Sequence, residues 1–313
     1  MAGLDVERVT ADLTDASAVA DAVDGCRAVF HVAALYRFWS KDPGEFYEVN
    51  VGGSRNVMEA ARRSGCERVV YTSTVGTIGL GAGSVHTGEP GAGRGFDETS
   101  YAHIDHLFGL YKQSKYVAEH EVLRAAAEGL PVVLVQPTFP VGPRDHAPTP
   151  SGKLVLDYMN GKMPGFVDTA LNVVDVEDVA TGHVLAAERG DSGRSYILGG
   201  ENLSLARILS MLADISGLPP VSRRFPRGLA LAAAHASDLV QGRLLRREPS
   251  VPLEGTRMAS THMIFDDSRA RAELGYASRA ALEALERSAR WYAENGYVTA
   301  ARLDRCSWRD PLA

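Results

Sequence analysis

ERVVYTS, residues 67–73, decides the fold. Its centre is continuously apolar, without the alternation that a strand with one wet face would show. It therefore predicts a strand buried on both faces of a parallel sheet. PVVLVQP (131–137) repeats the pattern. Working outward, VERVT (6–10) and RAVFHV (27–32) read as strands around a helix capped near Asp15. PGEFYEVNVGGSRNVMEAARRSG (43–65) has apolar positions near helical spacing, with Gly65 as its terminator. Short strands alternating with helices are the mark of βαβ units and a mostly parallel sheet.

After residue 150 the pattern changes. A helix in KLVLDYMNGK is followed by a strand in NVVDV, a helix in VEDVATGHVLAAERG, a strand in RSYILGG, and mainly helices to the end. This predicts a dinucleotide-binding domain over 1–149, to which 172–199 returns, and a smaller lobe over 150–313, mainly 150–171 and 200–313. The amphipathic segment 281–298 should cover a core rather than bind a partner.

The 313 residues, 45% of them hydrophobic, suffice for one large domain or two packed lobes. A net charge of -6 spread along the chain offers no basic face for a phosphate backbone, which excludes nucleic acid as a partner. Cys26, Cys66 and Cys306 are few, odd in number and not spaced as a metal knuckle or disulfide framework, so the reducing cytoplasm is expected. The first residues show no export signal, and the longest apolar run, 228–236, is too short to span a bilayer; neither export nor membrane insertion is expected.

The chemistry centres on GLYKQSKYVAEHE (109–121), where Tyr111 and Lys115 stand four apart on a helix and so share a face. A tyrosine of pKa ~10 is a poor base at neutral pH. A nearby ammonium would favour the phenolate and make it usable in proton transfer. The spacing also suits an exposed pair on a solvated helix. Thr74 follows the end of the strand in 67–73, where parallel sheets present ligand sites. Its hydroxyl could orient a substrate alcohol toward Tyr111, or bond its own backbone in a turn.

Taken together, YTST, YKQSK, FHVAALY, EFYEVNVGGSRNVMEAA, QPTFPVGP, VVDVEDVATGH and YILGGENLSL resemble, in order and spacing, the extended short-chain dehydrogenases of the NAD-dependent epimerase/dehydratase family. Within it the chain is most similar to hopanoid-associated sugar epimerases and next to dihydroflavonol-reductase-like enzymes. The resemblance spans about residue 3 to 298. It implies a Rossmann-type doubly wound α/β sheet, an NAD or NADP cofactor, and a homodimer formed through helices 43–65 and 106–127. Position by position it implies Tyr111 as acid and base, Lys115 holding the nicotinamide ribose and lowering the tyrosine pKa, and Thr74 positioning the reacting hydroxyl. Asp12, Leu13, Ala33, Ala34, Asn50, Thr72, Pro137 and Thr138 fall on the cofactor side, and Tyr36 and Phe139, with Thr74, on the substrate side. Gln136 and Asp175 depart from the family pattern, which more often has arginine or asparagine at the first and histidine at the second.

The family opens with a strand, a glycine-rich turn and a helix that holds the pyrophosphate. Here GLDVERVTADLTD resembles its third strand, so a first βαβ stretch of roughly 40 residues is missing. Strand 6–10 would lose its pairing partners, leaving a sheet edge and half a cofactor cleft. The expectation is a truncated or wrongly started chain, with the glycine turn encoded upstream of Met1 and with both an active and an inactive reading of the chain as given left open; finding no such turn in the upstream DNA would sink it. The glycine-rich stretch 76–95 reads as a flexible substrate-side loop.

GDSG (190–193) lacks the partners of a serine hydrolase. HIDH (103–106) with His86 reads as flanking the substrate loop rather than as a metal site, and Asp97 and Glu98 as turn caps. Two function classes result. One is a redox enzyme on a secondary alcohol of a sugar nucleotide or similar molecule, with a ketone reductase as its variant. The other is a non-catalytic nucleotide-sensing relative.

Overall fold

The computed structural model describes residues 5–37, 39–78, 95–100, 102–251, 253–258 and 262–308. The first element is α1 (Ala16–Val23), whose N-cap Asp15 accepts from Ser17 and Ala18 backbone N–H groups. Strand β1 (Ala28–His31) leads into a long helical stretch: α2 (Glu45–Tyr47), a π-helical turn (Glu48–Gly52) and α3 (Gly53–Arg63). Then come β2 (Arg68–Thr72), α4 (Leu110–Ala127), β3 (Val132–Pro137) and β4 (Phe139–Val141). The second half carries α5 (Pro150–Met159), β5 (Ala170–Asp175), α6 (Val176–Arg189), β6 (Ser195–Leu198) and β7 (Glu201–Ser204). It closes with α7 (Leu205–Ser216), α8 (Arg227–Ser237), α9 (Leu253–Met258), α10 (Ala281–Glu294) and α11 (Ala300–Leu303).

The main sheet is parallel, in the order β1-β2-β3-β6. Successive side chains of a strand point to opposite faces, and both faces here are covered. Val69, Tyr71, Val132 and Leu134 pack under α1, α3 and α4. Val70, Val133, Val135, Tyr196 and Leu198 pack under α6. That is why ERVVYTS and PVVLVQP read as unbroken apolar runs. The sheet is a Rossmann-like α/β layer with helices on both sides.

Two sequence expectations change. Residues 6–10 are not a strand: they run exposed, with Val6 at 51% and Val9 at 58%. A strand is held by hydrogen bonds to a neighbouring strand, and among the described residues none lies beside this segment. The outer flank of β1 is likewise uncovered, with Phe30 at 45% exposed. Second, β5 does not return to the main sheet. It pairs with β4 in parallel and β7 antiparallel in a separate three-stranded sheet, so the return begins at α6 and the second lobe is not mainly helical at its base. A buried apolar run signals burial, not which sheet it joins. That lobe packs α5, α7 and α10 around Val155, Ile208, Leu212, Leu285 and Tyr292. Helix α10 buries its apolar stripe there.

Asp175 joins the two halves. At the end of β5 it caps α6, accepting from Glu177 N at 2.8 Å, and its fully buried carboxylate meets Arg287 at 2.7 Å. Burial pushes its pKa up against the pull of Arg287 and Arg279. Asp175→Ala removes the cap and one of the two carboxylates on Arg287, the other being Glu177 at 2.6 Å, so the urea midpoint should fall by the equivalent of about 2 kcal/mol. An unchanged midpoint would remove Asp175 from the joint.

Candidate active site

The site forms where β2 and β3 end and α4 begins. The backbone turns sharply after β2, and Thr74 caps a 3-10 turn (Val75–Thr77) by accepting from Gly76 N at 3.1 Å. Gly109, at φ +93, starts α4 so that Tyr111 lies in the first helical turn. That φ is one L side chains rarely adopt, which explains why glycine stands there, with the Glu254 carboxyl from α9 packed against it. The Thr74 hydroxyl stands near the Tyr111 phenol, where it favours the ionised form. The Tyr36 ring lies 4.7 Å from that of Tyr111. Tyr36, Thr74, Tyr111, Thr138 and Phe139 all line one cavity of about 240 Å³.

Lys115 lies one turn beyond Tyr111, fully enclosed, and donates to Tyr71 Oη at 2.8 Å and to the Thr72 carbonyl at 2.7 Å. Its ammonium sits 4.3 Å over the Tyr71 ring. Burial pushes its pKa down to about 7 against the pull of Glu119. Burial also pushes the Tyr111 phenol up, with Tyr36 and Tyr71 adding to the rise and the nearby Thr74 hydroxyl opposing it. The lowering expected from Lys115 does not set the direction here, because the phenolate's loss of water dominates.

Behind these groups lies a buried polar relay that spacing did not reveal. His31 Nε2 meets Ser54 Oγ at 3.1 Å, the His31 ring lies 5.5 Å from that of Tyr71, and Tyr71 Oη accepts from Lys115. Burial lowers the His31 pKa to about 3, so the ring is neutral. Asn50 clamps the loop after β1 to α4: its Oδ1 accepts from Leu35 N at 2.7 Å and its Nδ2 donates to Ser114 Oγ at 2.9 Å. That clamp positions Tyr36. Glu119 takes hydrogen bonds from Ser73, Thr77 and Gln136, fixing the turn after β2.

The remaining expected cofactor-side residues do not line the cavity. Pro137 ends β3 next to Thr138, and Thr72 Oγ1 meets His183 Nε2 at 2.8 Å. Asp12 is exposed and accepts from Thr14, which lowers its pKa. Leu13 packs on Gly53 while its carbonyl accepts from Asn56 at 2.8 Å. Ala33 is exposed and Ala34 half-buried. Glu98 anchors β6, accepting from Ile197 N at 2.8 Å, and Asp97 caps its own turn through Thr99. His103 is exposed beside Asp105, and Ser192 donates to Leu130 O in a plain helix-to-strand loop. His86 and most of the 76–95 loop lie outside the described residues.

Glu254 was invisible to sequence reading. It is 8% exposed, its Oε1 has no hydrogen-bond partner among the described residues, and burial raises its pKa to about 8 against the pull of Lys112. A raised carboxyl pKa contributes stability that is present below the unfolded value of ~4.3 and lost as pH rises through about 8. Glu254→Gln should therefore flatten the decline of melting temperature between those pH values. A decline of unchanged slope would mean that the carboxyl is not buried.

A family model described as NAD dependent epimerase/dehydratase family matches residues 2–199. A Synechocystis sp. protein provisionally named dihydroflavonol 4-reductase is 41% identical over 299 residues, covering 94% of this chain and 84% of that protein. Sterol demethylase protein B of Methylococcus capsulatus is 33% identical over 300 residues, covering 95% of this chain and 88% of that protein. Among solved structures, that of gox2253 is 39% identical with a TM-score of 0.81, covering 95% of this chain and 88% of that one.

Proposed function

The chain belongs to the NAD dependent epimerase/dehydratase family, and on that premise we propose that it interconverts a secondary alcohol and a ketone on a small, largely apolar molecule. The observation that carries this reading is the placement of Tyr111 and Thr74 together on the wall of a cavity otherwise built from groups such as Leu154, Leu171, Leu205, Met263 and Phe265. Lys112 is the one charged residue among the described residues lining it. A sugar nucleotide, expected from the resemblance, carries a diphosphate that calls for several cationic donors. A ketone flanked by hydrocarbon asks for burial and one hydrogen-bonding end, so the reductase variant suits this wall better.

In this reading the substrate oxygen sits between Tyr111 Oη and Thr74 Oγ1. Thr74 orients it, and Tyr111 gives up the proton to a forming alkoxide or takes it from a reacting alcohol. The Lys115 ammonium has three donors, two of them used by Tyr71 and Thr72. The third is available to a ribose hydroxyl, so the donor set fits the ribose-nicotinamide end of NAD or NADP. When bound, the nicotinamide supplies or takes up the hydride. Exposed Asp12 would meet the adenine end. Tyr36 and Phe139 line the cavity, where their rings would flank the reacting carbon. The homodimer is part of the proposal: α3 and α4 lie side by side, tied by Arg55–Glu121 at 3.0 Å, and offer one joint outer face. A monomer by light scattering would overturn that part.

The test is a panel of aliphatic and aromatic ketones beside nucleotide-sugar substrates, each with NADH and NADPH, read by loss of reduced nicotinamide. Faster turnover of apolar ketones is the expected result. Turnover confined to nucleotide sugars would overturn the substrate assignment.

A further inference from the structure

Helix α8 and the π-helical turn that continues it (Asp238–Leu244) leave an apolar stripe bare. Residue 234 faces inward and is buried, whereas residues at helical spacing on the opposite side are open. Leu229 is 61% exposed, Leu239 54%, Val240 51%, Leu244 73% and Leu245 56%. Large aliphatics at such exposure, successive along one helix, are unusual on a surface that meets only water.

The charge around this stripe is the reverse of the chain's. Against a net of -6 overall, residues 223–247 hold six arginines and one aspartate, and Asp238 is taken by Arg243 at 3.2 Å. Arg227 begins the helix, and Arg246 and Arg247 follow its end, both exposed and without an ion pair among the described residues. An apolar stripe with arginines at its ends matches the profile of an anionic bilayer surface: aliphatic side chains enter the acyl boundary while guanidinium groups reach back to phosphates.

The stripe also adjoins the active site. Helix α8 packs against α9, and Gly255 of α9 lines the substrate cavity.

We propose that the α8 face, Leu229 to Leu245 with its flanking arginines, docks the protein on the surface of membranes containing anionic phospholipid, with the cavity wall formed by α9 turned toward that surface. No helix among the described residues is long and apolar enough to cross a membrane, and surface docking requires none. The docking does not depend on which substrate the site turns over.

The experiment is sedimentation of the protein with large unilamellar vesicles of phosphatidylcholine alone and of phosphatidylcholine with phosphatidylglycerol. Binding to the mixed vesicles, absent on the zwitterionic ones and weakened by added salt, is expected. Leu239→Asp combined with Leu244→Asp should abolish it, and Arg246→Glu combined with Arg247→Glu should weaken partition by about 10-fold or more. These positions are exposed, so both variants should keep the wild-type melting temperature, which checks that the fold is intact. Failure of the wild type to bind either vesicle overturns the proposal, as does binding that the leucine variants leave unchanged. A wild-type dimer that the leucine variants convert to monomer, without vesicle binding, would instead make the stripe an interface between copies.

Discussion

Tyr111→Phe should lower turnover by roughly 10²–10⁴-fold, the usual contribution of a positioned acid or base. The variant keeps the ring against Tyr36, whose centroid lies 4.7 Å away, so the cavity wall keeps its shape. It removes the hydroxyl that stands near Thr74 and would share a proton with the substrate oxygen. Melting temperature and dinucleotide affinity should stay near wild type, which separates lost chemistry from lost structure. Turnover within a few-fold of wild type would end the assignment of Tyr111 as acid and base, and would favour the reading of a nucleotide-binding relative without catalysis.

Lys115→Met should act more broadly, lowering both dinucleotide affinity and turnover, each by about 100-fold, because one ammonium serves two roles. It positions Tyr71 and the end of β2 through two hydrogen bonds, and it offers its third donor to the cofactor. The stability effect has an opposite sign. A lysine pushed down to about 7 from an unfolded value of ~10.4 contributes stability that is present above the unfolded value and lost as pH falls through the folded one. Wild-type melting temperature should therefore gain a rising component between about pH 7 and 10, and Lys115→Met should remove it. Thermal melts across pH measure that slope, and titration calorimetry measures the affinity. Undiminished affinity for both NAD(H) and NADP(H) would take Lys115 out of the cofactor site.

The parts of this site that stood in the sequence are those at the ends of strongly patterned elements. Two unbroken apolar runs placed β2 and β3, so Thr74 could be set at the carboxyl end of β2; helical spacing then set Tyr111 and Lys115 on α4, and Thr138 came only from the resemblance to the family. The parts that did not stand there depend on contacts between distant segments. Tyr71 sits in the middle of an apolar run and reads as core, yet its hydroxyl accepts from Lys115. Glu254 belongs to a short helix with no pattern of its own and reaches the site only because α9 packs at the start of α4. Residues 6–10 show the converse: their pattern suits a strand, but hydrogen-bonding partners are a property of the neighbour, not of the segment. The π-helical turn at Glu48–Gly52, which brings Asn50 onto the loop after β1, also leaves no trace in apolar spacing.

The central claim is that this chain moves hydride and proton between a nicotinamide and an apolar secondary alcohol. Mass spectrometry of the alcohol formed from an apolar ketone and reduced nicotinamide deuterated at its transferable position tests it most directly. A single deuterium on the carbinol carbon is the predicted result, lost together with turnover in Tyr111→Phe. Alcohol without deuterium, or no alcohol from any ketone with either NADH or NADPH, would contradict the claim.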